Sequence, residues 1–179
     1  MKQSHASQKE ASPSPADVPL GELPVVEVTD RMYQLAQHIA AARATTYSPI
    51  DGGVVYGDQD SEDAHLTGVL GELAYQEYQQ PEDAEQAIYV YGDPGYDSTH
   101  EGETLDVKAT ATHMTIPDLL IPYRQNLTAE KYLLAHRVNP REIRLVGLAD
   151  RETVKDRAPE RHPGSSLNYV VKPHELQLL

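Results

Sequence analysis

The chain has 179 residues, with 28 Asp or Glu against 15 Lys or Arg, which gives a net charge of −13. That length predicts one domain with a core of its own, and the lack of cysteine excludes disulfides and thiolate-bound zinc. No apolar run reaches the roughly 18 residues that a membrane helix needs, and the amino terminus has no apolar signal-peptide core, so we expect no membrane association and a cytoplasmic location.

The amino-terminal part is expected to contribute little to function. Residues 1–24 are polar and rich in Pro and Ser, which predicts a disordered tail, and residues 25–179 are expected to form the single folded domain. Thr29 or Asp30 can cap a first helix that runs to Arg43. Residues 45–62 are rich in Gly and Asp and favour a loop.

A second amphipathic helix is predicted at residues 66–78, where apolar residues recur at steps of three and four. Gly68 and Gly71 each cost about 1 kcal/mol relative to alanine inside a helix, so we expect another element to approach closely there. Glu72 shares a face with Gly68, which would let the helix lie against a sheet and bring this carboxylate to the strand ends. The alternative for Glu72 is a solvent-facing position.

The chain then alternates between β-prone runs and turns. Strands are predicted at residues 87–91, 96–99, 103–110, 132–138, 142–149 and 167–171. Glu101 and Gly102 would join the second and third of these as a hairpin, whereas residues 116–125 favour a loop or a short extended segment because they contain two prolines. This order is typical of the α/β class, here a mixed α+β arrangement with a central mixed sheet flanked by helices.

The predicted hairpin carries the acidic and basic residues that point to chemistry. Asp97 lies in its first strand, while Asp106 and Lys108 lie two residues apart in its second strand and therefore project from one face. Val107 would point the other way, into a core. Two carboxylates and an amine at a strand end suit a Mg²⁺ site for phosphodiester hydrolysis. The alternatives are a turn-forming Asp97 and an exposed ion pair between Asp106 and Lys108.

These residues resemble the PD-(D/E)XK nuclease superfamily, whose core is a helix with an acidic residue, followed by a hairpin that carries an aspartate and an acid-x-lysine pair. The resemblance covers residues 66–152 and matches Glu72, Asp97, Asp106, Val107 and Lys108 to that pattern. Tyr96 stands where the family has a proline, and Asp93, which precedes Pro94, is an alternative first acid. The resemblance also implies a helix between the third and fourth core strands, for which residues 116–131 are the candidate.

The resemblance implies a restriction-endonuclease-like fold and a Mg²⁺- or Mn²⁺-dependent DNA nuclease, more specifically an endonuclease that leaves 5′ phosphates and 3′ hydroxyls. Glu72, Asp97, Asp106 and Lys108 would be catalytic, and Glu72, Asp97, Asp106 and the Val107 carbonyl would ligate metal. The implied setting is DNA processing, repair, recombination or restriction, with a virus or mobile element as one origin. Many such enzymes act as homodimers. The alternative is a noncatalytic nuclease-fold module that binds DNA or a protein.

The acidity of the chain opposes DNA binding, because affinity for DNA comes from neutralised phosphates. A salt-rich, halophilic cytoplasm is one resolution, since the Debye length falls to about 3 Å at 1 M salt. An uneven distribution of charge is a second resolution, because residues 131–179 carry nine bases and six acids. Arg137, Arg144 and Arg151 are therefore predicted to contact phosphates. The alternative is that this part is merely a basic loop and strand edge. Tyrosines, the only aromatic residues, could stack on bases; the candidates are Tyr47, Tyr56, Tyr96 and Tyr123.

Overall fold

The computed structural model of the chain describes residues 13–46, 61–79 and 95–179, and it is a mixed α+β arrangement. The helices are α1 (Asp30–Thr46), α2 (Ser61–Gln79) and the short α3 (Arg151–Lys155). The strands are β1 (Val25–Glu27), β2 (Ser98–His100), β3 (Glu103–Thr110), β4 (Leu119–Pro122), β5 (Lys131–Asn139), β6 (Glu142–Asp150), β7 (Glu160–Arg161) and β8 (Leu167–Val171). The predicted strand at residues 87–91 and the alternative acid Asp93 lie outside the described residues.

The strands form two sheets. The larger has the order β1-β6-β5-β3-β2, in which β3 and β5 are parallel and the other neighbours are antiparallel. The smaller is antiparallel, with the order β4-β8-β7. The central mixed sheet predicted from the element order is therefore confirmed, and the parallel pair at its centre is β3 with β5.

The predicted hairpin is confirmed by β2 and β3. Glu101 and Gly102 form its turn, with φ angles of 50° and 87°, which is the left-handed conformation that a two-residue hairpin turn requires. Because β2 is only three residues long, its last pairing along β3 joins Ser98 to Leu105. Beyond Leu105, no strand among the described residues pairs with this edge of β3, and this uncovered edge positions the candidate site.

Helix α2 and the smaller sheet pack on opposite faces of the larger sheet. On one face, Leu70 and Leu73 of α2 join Leu105 of β3 in a buried cluster. On the other face, Ile121 of β4 and Tyr132 of β5 belong to a second buried cluster. Strand β5 is thus covered on both sides, which accounts for its continuous apolar run from Tyr132 to Ala135.

Two segments differ from what composition indicated. Residues 13–24, assigned to a disordered tail, are packed: Ser14 and Leu23 are buried, and a Cβ placed on Gly147 would come within 2.7 Å of Pro15. Residues 111–130 contain β4 and turns but no helix, so the helix implied between the third and fourth core strands is absent there. Pairing of β4 with β8 satisfies this backbone instead, and prolines in the segment oppose a helix.

The close approach predicted for α2 occurs at Gly71 and not at Gly68. A Cβ on Gly71 would lie 2.7 Å from the Cβ of Ala109 and 3.3 Å from that of Ala135, whereas a Cβ on Gly68 would have no described atom of another element within 4 Å. Gly71 therefore lets α2 lie directly on β3 and β5. This contact fixes the height of α2, and so of Glu72, above the sheet.

Alanine substitutions should separate these two glycines. We expect Gly68→Ala to stabilise the protein by up to about 1 kcal/mol through helix propensity, because its Cβ meets no described atom of another element. Gly71→Ala gains the same propensity but overpacks the sheet contact, so its free energy of unfolding should fall below that of Gly68→Ala by about 1–3 kcal/mol. Urea unfolding of both variants measures the difference, and equal stabilities would contradict the close contact.

Candidate active site

Strand β3 carries Asp106 and Lys108 on one face, as their spacing predicted. The Lys108 Nζ lies 2.8 Å from one carboxylate oxygen of Asp106 and 2.7 Å from the other. Asp106 is only 5 % exposed, so the alternative of an exposed ion pair does not hold for it. Val107 points into the cluster beneath α2, also as predicted. The strand thus presents a buried carboxylate and an amine on the face opposite α2.

Asp97 precedes β2 and meets the uncovered edge of β3. Its N–H donates to the Leu105 carbonyl at 2.8 Å, and its Oδ2 accepts the Val107 N–H at 2.7 Å. The carboxylate therefore takes the place of a strand partner just before β2 begins. Because the N–H and C=O of one strand residue point to the same side, the Val107 carbonyl also faces this edge. Asp97 is thus more than a turn-forming residue.

Three carboxylates lie close enough at this edge for the charges of two of them to raise the pKa of the third. Loss of hydration raises the pKa of Asp97 to about 8, with further contributions from the negative charges of Glu72 and Asp106. The Val107 N–H and Lys108 act in the opposite direction without offsetting these effects. Glu72, Asp97 and Asp106, which the sequence singled out from three separate elements, therefore share one neighbourhood. Their mutual repulsion would be relieved by a bound cation.

Glu72 faces inward and is held by an arginine that the sequence reasoning missed. Arg43 of α1 donates from both terminal nitrogens to the two carboxylate oxygens of Glu72, at 2.6 and 2.8 Å. Glu72 is 9 % exposed, so the solvent-facing alternative does not hold. A two-pronged pair of this kind is strong and directional. The available signal was the position of Arg43 in the last part of a predicted helix.

Gln125 is the second residue that sequence reasoning missed. Its Nε2 donates to Asp106 Oδ2 at 2.7 Å, so Asp106 is held by Lys108 and Gln125 together. Beside them lies a cleft of about 240 Å³. The residues that line it include Ala64, Gly68, Lys108, Thr110, Asp118 and Gln125. The cleft therefore runs from α2 past the uncovered edge of β3 to the segment around β4.

The donor set at this edge suits a hard divalent cation. Asp97, Asp106 and the Val107 carbonyl supply oxygen atoms, the ligands that Mg²⁺ and Mn²⁺ prefer. As the side chains lie, no group of three acidic or histidine residues in the described ranges is arranged to hold a metal. Both oxygens of Glu72 already accept from Arg43, so Glu72 would have to share or give up this pair to join such a group. The residues therefore fit a metal in their chemistry and would rearrange to bind it.

The three arginines predicted to contact phosphates lie against three different segments. Arg137 pairs with Asp63 of α2 at 2.8 Å, and its side chain is only 10 % exposed. Arg144 donates to the Thr115 carbonyl at 3.5 Å and Arg151 to the Thr128 carbonyl at 3.3 Å. Each guanidinium thus has a protein partner. Their role in binding nucleic acid stays a prediction.

Removing the amide of Gln125 should weaken the site without unfolding the protein. Gln125→Met keeps the length of the side chain but cannot donate to Asp106. If Asp106 ligates a metal, as the resemblance implies, we expect Mn²⁺ affinity to fall about 10- to 100-fold, as is usual when a partner of a metal ligand is lost. Isothermal titration with Mn²⁺ measures the affinity, and the exposed neighbour Asn126→Ala serves as the control. An unchanged affinity in Gln125→Met would show that Asp106 does not depend on this bond.

No helix in the described ranges is long and apolar enough to cross a membrane.

Comparisons with models of protein families, with curated proteins and with solved structures found no match for this chain. The features that indicate a function are therefore the acids at the edge of β3 and the adjacent cleft, which is lined by Lys108 and Gln125, the two partners of Asp106.

Proposed function

We propose that this protein is a Mg²⁺- or Mn²⁺-dependent deoxyribonuclease with a restriction-endonuclease-like core. The observation that carries this proposal is the half-buried Asp97 carboxylate, which lies on the uncovered edge of β3 with its pKa raised to about 8 beside Asp106 and Glu72. A carboxylate kept in such surroundings costs stability. Acids perturbed by burial and by one another beside a cleft are typical of functional sites.

Each residue has a role that follows from its position. Asp97, Asp106 and the Val107 carbonyl would hold the metal, which when bound lowers the pKa of a water molecule and offsets charge on the phosphate. Lys108 lines the cleft beside Asp106, so its amine is placed to donate to the attacking water or to a phosphate oxygen. Gln125 keeps the Asp106 carboxylate oriented. Hydrolysis would leave a 5′ phosphate and a 3′ hydroxyl.

Arg43 keeps Glu72 out of this set in the described arrangement. The pair restrains the Glu72 carboxylate, although its charge still contributes to raising the pKa of Asp97. Release of Glu72 from Arg43 would add another oxygen ligand to the neighbourhood of Asp97. We therefore assign Glu72 the role of an auxiliary ligand, with Asp97 and Asp106 as the principal ones.

A noncatalytic nuclease-fold module that binds DNA or protein is the second candidate. It is favoured by the ion pairs themselves, since Lys108 and Arg43 already neutralise Asp106 and Glu72 within the protein. Under this reading the carboxylates stabilise the fold and hold no metal. Metal binding and cleavage distinguish the two functions.

The decisive assay uses supercoiled plasmid and end-labelled single strands, with Mg²⁺, Mn²⁺ or EDTA, in low and in molar KCl. We expect cleavage that requires the metal, and products that a ligase can rejoin because they carry 5′ phosphates and 3′ hydroxyls. Both salt conditions are needed because a chain of net charge −13 is repelled by DNA unless salt screens the repulsion. Absence of both Mn²⁺ binding and cleavage favours the module and overturns the proposed metal site, whereas Mn²⁺ binding without cleavage under either salt condition keeps the metal site and contradicts the nuclease activity.

A further inference from the structure

A tight turn forms part of the rim of the cleft. The Gln125 N–H donates to the Pro122 carbonyl at 2.9 Å and closes a four-residue turn directly after β4. Pro122 and Gln125, the two ends of the turn, line the cleft. Tyr123 and Arg124, its two corners, are exposed. An aromatic ring and a cation are thus presented together, two residues or fewer from the amide that holds Asp106.

The Tyr123 residue is held in place by two contacts with β8. Its ring centroid lies 5.4 Å from that of Tyr169, at an interplanar angle of 58°, and its N–H donates to the Leu167 carbonyl at 3.0 Å. Even so, Tyr123 is 45 % exposed. A ring that is already oriented loses little conformational freedom when a flat partner stacks on it. The position therefore suits a ligand that offers a flat face.

We propose that Tyr123 and Arg124 form a platform for an unpaired nucleobase and its phosphate, so that the substrate is single-stranded DNA or a single-stranded end. This inference rests on the proposed nuclease function and narrows its substrate class. Tyrosine stacks on bases of any sequence, whereas bases inside a duplex are already stacked on each other. Arg124 adds a charge that can meet the backbone phosphate of the same nucleotide.

The location of the platform argues for a nucleic acid strand as its occupant. It is continuous with the cleft that contains Lys108, because Pro122 and Gln125 belong to both. A strand that places one phosphate beside Lys108 and Asp106 would leave a neighbouring base near the rim. The platform can then hold that base away from any complementary strand.

The test compares binding of a single-stranded oligonucleotide that contains 2-aminopurine with binding of its duplex, in EDTA so that no cleavage occurs. Stacking on a base contributes about 1–3 kcal/mol, so Tyr123→Ala should weaken binding of the single strand roughly 5- to 150-fold and remove the fluorescence quenching. Tyr123→Phe keeps the ring and should behave like the wild type. Tyr78→Ala removes a tyrosine of similar exposure, 42 %, from α2 and serves as the matched control.

The outcomes separate this inference from the proposed function. The platform is overturned and the nuclease stands if the wild type cleaves DNA and Tyr123→Ala weakens binding of the single strand and of the duplex equally. The same conclusion follows if Tyr123→Ala weakens binding of neither DNA. If no DNA is cleaved but single-strand binding requires the Tyr123 ring, the platform stands and the nuclease falls. Loss of binding in Tyr123→Phe as severe as in Tyr123→Ala would also overturn stacking, because the phenylalanine ring retains the flat face.

Discussion

Asp106→Asn should lower metal-dependent DNA cleavage by about 1,000-fold or more while leaving the protein folded. Asparagine has the shape of aspartate, and its oxygen can still accept from Gln125 or Lys108, so the packing of this buried position is kept. What is lost is one of the two anionic oxygen ligands on which the proposed metal site depends. Metal ions contribute several kcal/mol to such reactions, and each 1.36 kcal/mol changes the rate tenfold.

Three measurements make this prediction specific. Cleavage rates at saturating DNA report the chemical step, Mn²⁺ titration reports the site, and thermal unfolding shows whether Asp106→Asn is folded. Lys108→Met should also lose cleavage but keep Mn²⁺ binding, because Lys108 supplies no ligand. Asp156→Asn, at an exposed position after α3, is the matched control and should retain full activity. A folded Asp106→Asn variant with wild-type cleavage would remove Asp106 from the mechanism.

Asp97→Asn should stabilise the metal-free protein near pH 8 while having little effect near pH 4. Below about pH 4 the acid is protonated in both the folded and the unfolded chain. As pH rises further, the unfolded chain ionises while the folded chain keeps its proton until about pH 8, so the stability of the wild type falls across this interval. Asparagine does not titrate, and its oxygen can still accept the Val107 N–H.

Thermal unfolding from pH 4 to pH 9, in EDTA, tests the sign of this effect. We expect the advantage of Asp97→Asn to grow with pH and to reach at least about 2 °C in Tm at pH 8, which corresponds to about 1 kcal/mol in a chain of this size. The same variant should lose cleavage, a trade between stability and activity that is usual at functional sites. A variant that is less stable than the wild type at pH 8 would show that the Asp97 charge stabilises the fold.

Local patterns predicted the parts of the site that lie close together in sequence. Alternation along β3 placed Asp106 and Lys108 on one face and Val107 on the other, and the Glu101–Gly102 turn followed from residues that tolerate positive φ. The cap of α1 was equally local, since Thr29 Oγ1 accepts the Met32 N–H at 3.2 Å. Such features depend on neighbouring residues, so periodicity and turn chemistry suffice to find them.

The rest of the site depends on contacts between distant segments. Arg43 reaches Glu72 from another helix, and Gln125 reaches Asp106 across 19 positions, which no periodic pattern encodes. Residues 116–125 were ambiguous because their extended form depends on pairing with β8, about fifty residues later. The position of Gly71 over Ala109 likewise required the packing of α2 on the sheet, and the sequence could not distinguish it from Gly68.

The division into two sheets has a consequence for how the cleft opens. Its walls come from β3 of the larger sheet and the segment around β4 of the smaller one, and no strand ladder joins these sheets among the described residues. Side-chain contacts, chiefly the apolar cluster around Ile121 and Tyr132, hold the two together. Separation along this seam would widen the cleft while breaking few backbone hydrogen bonds. Amide exchange should therefore report β4 and β8 as one cooperative opening unit, distinct from β3 and β5.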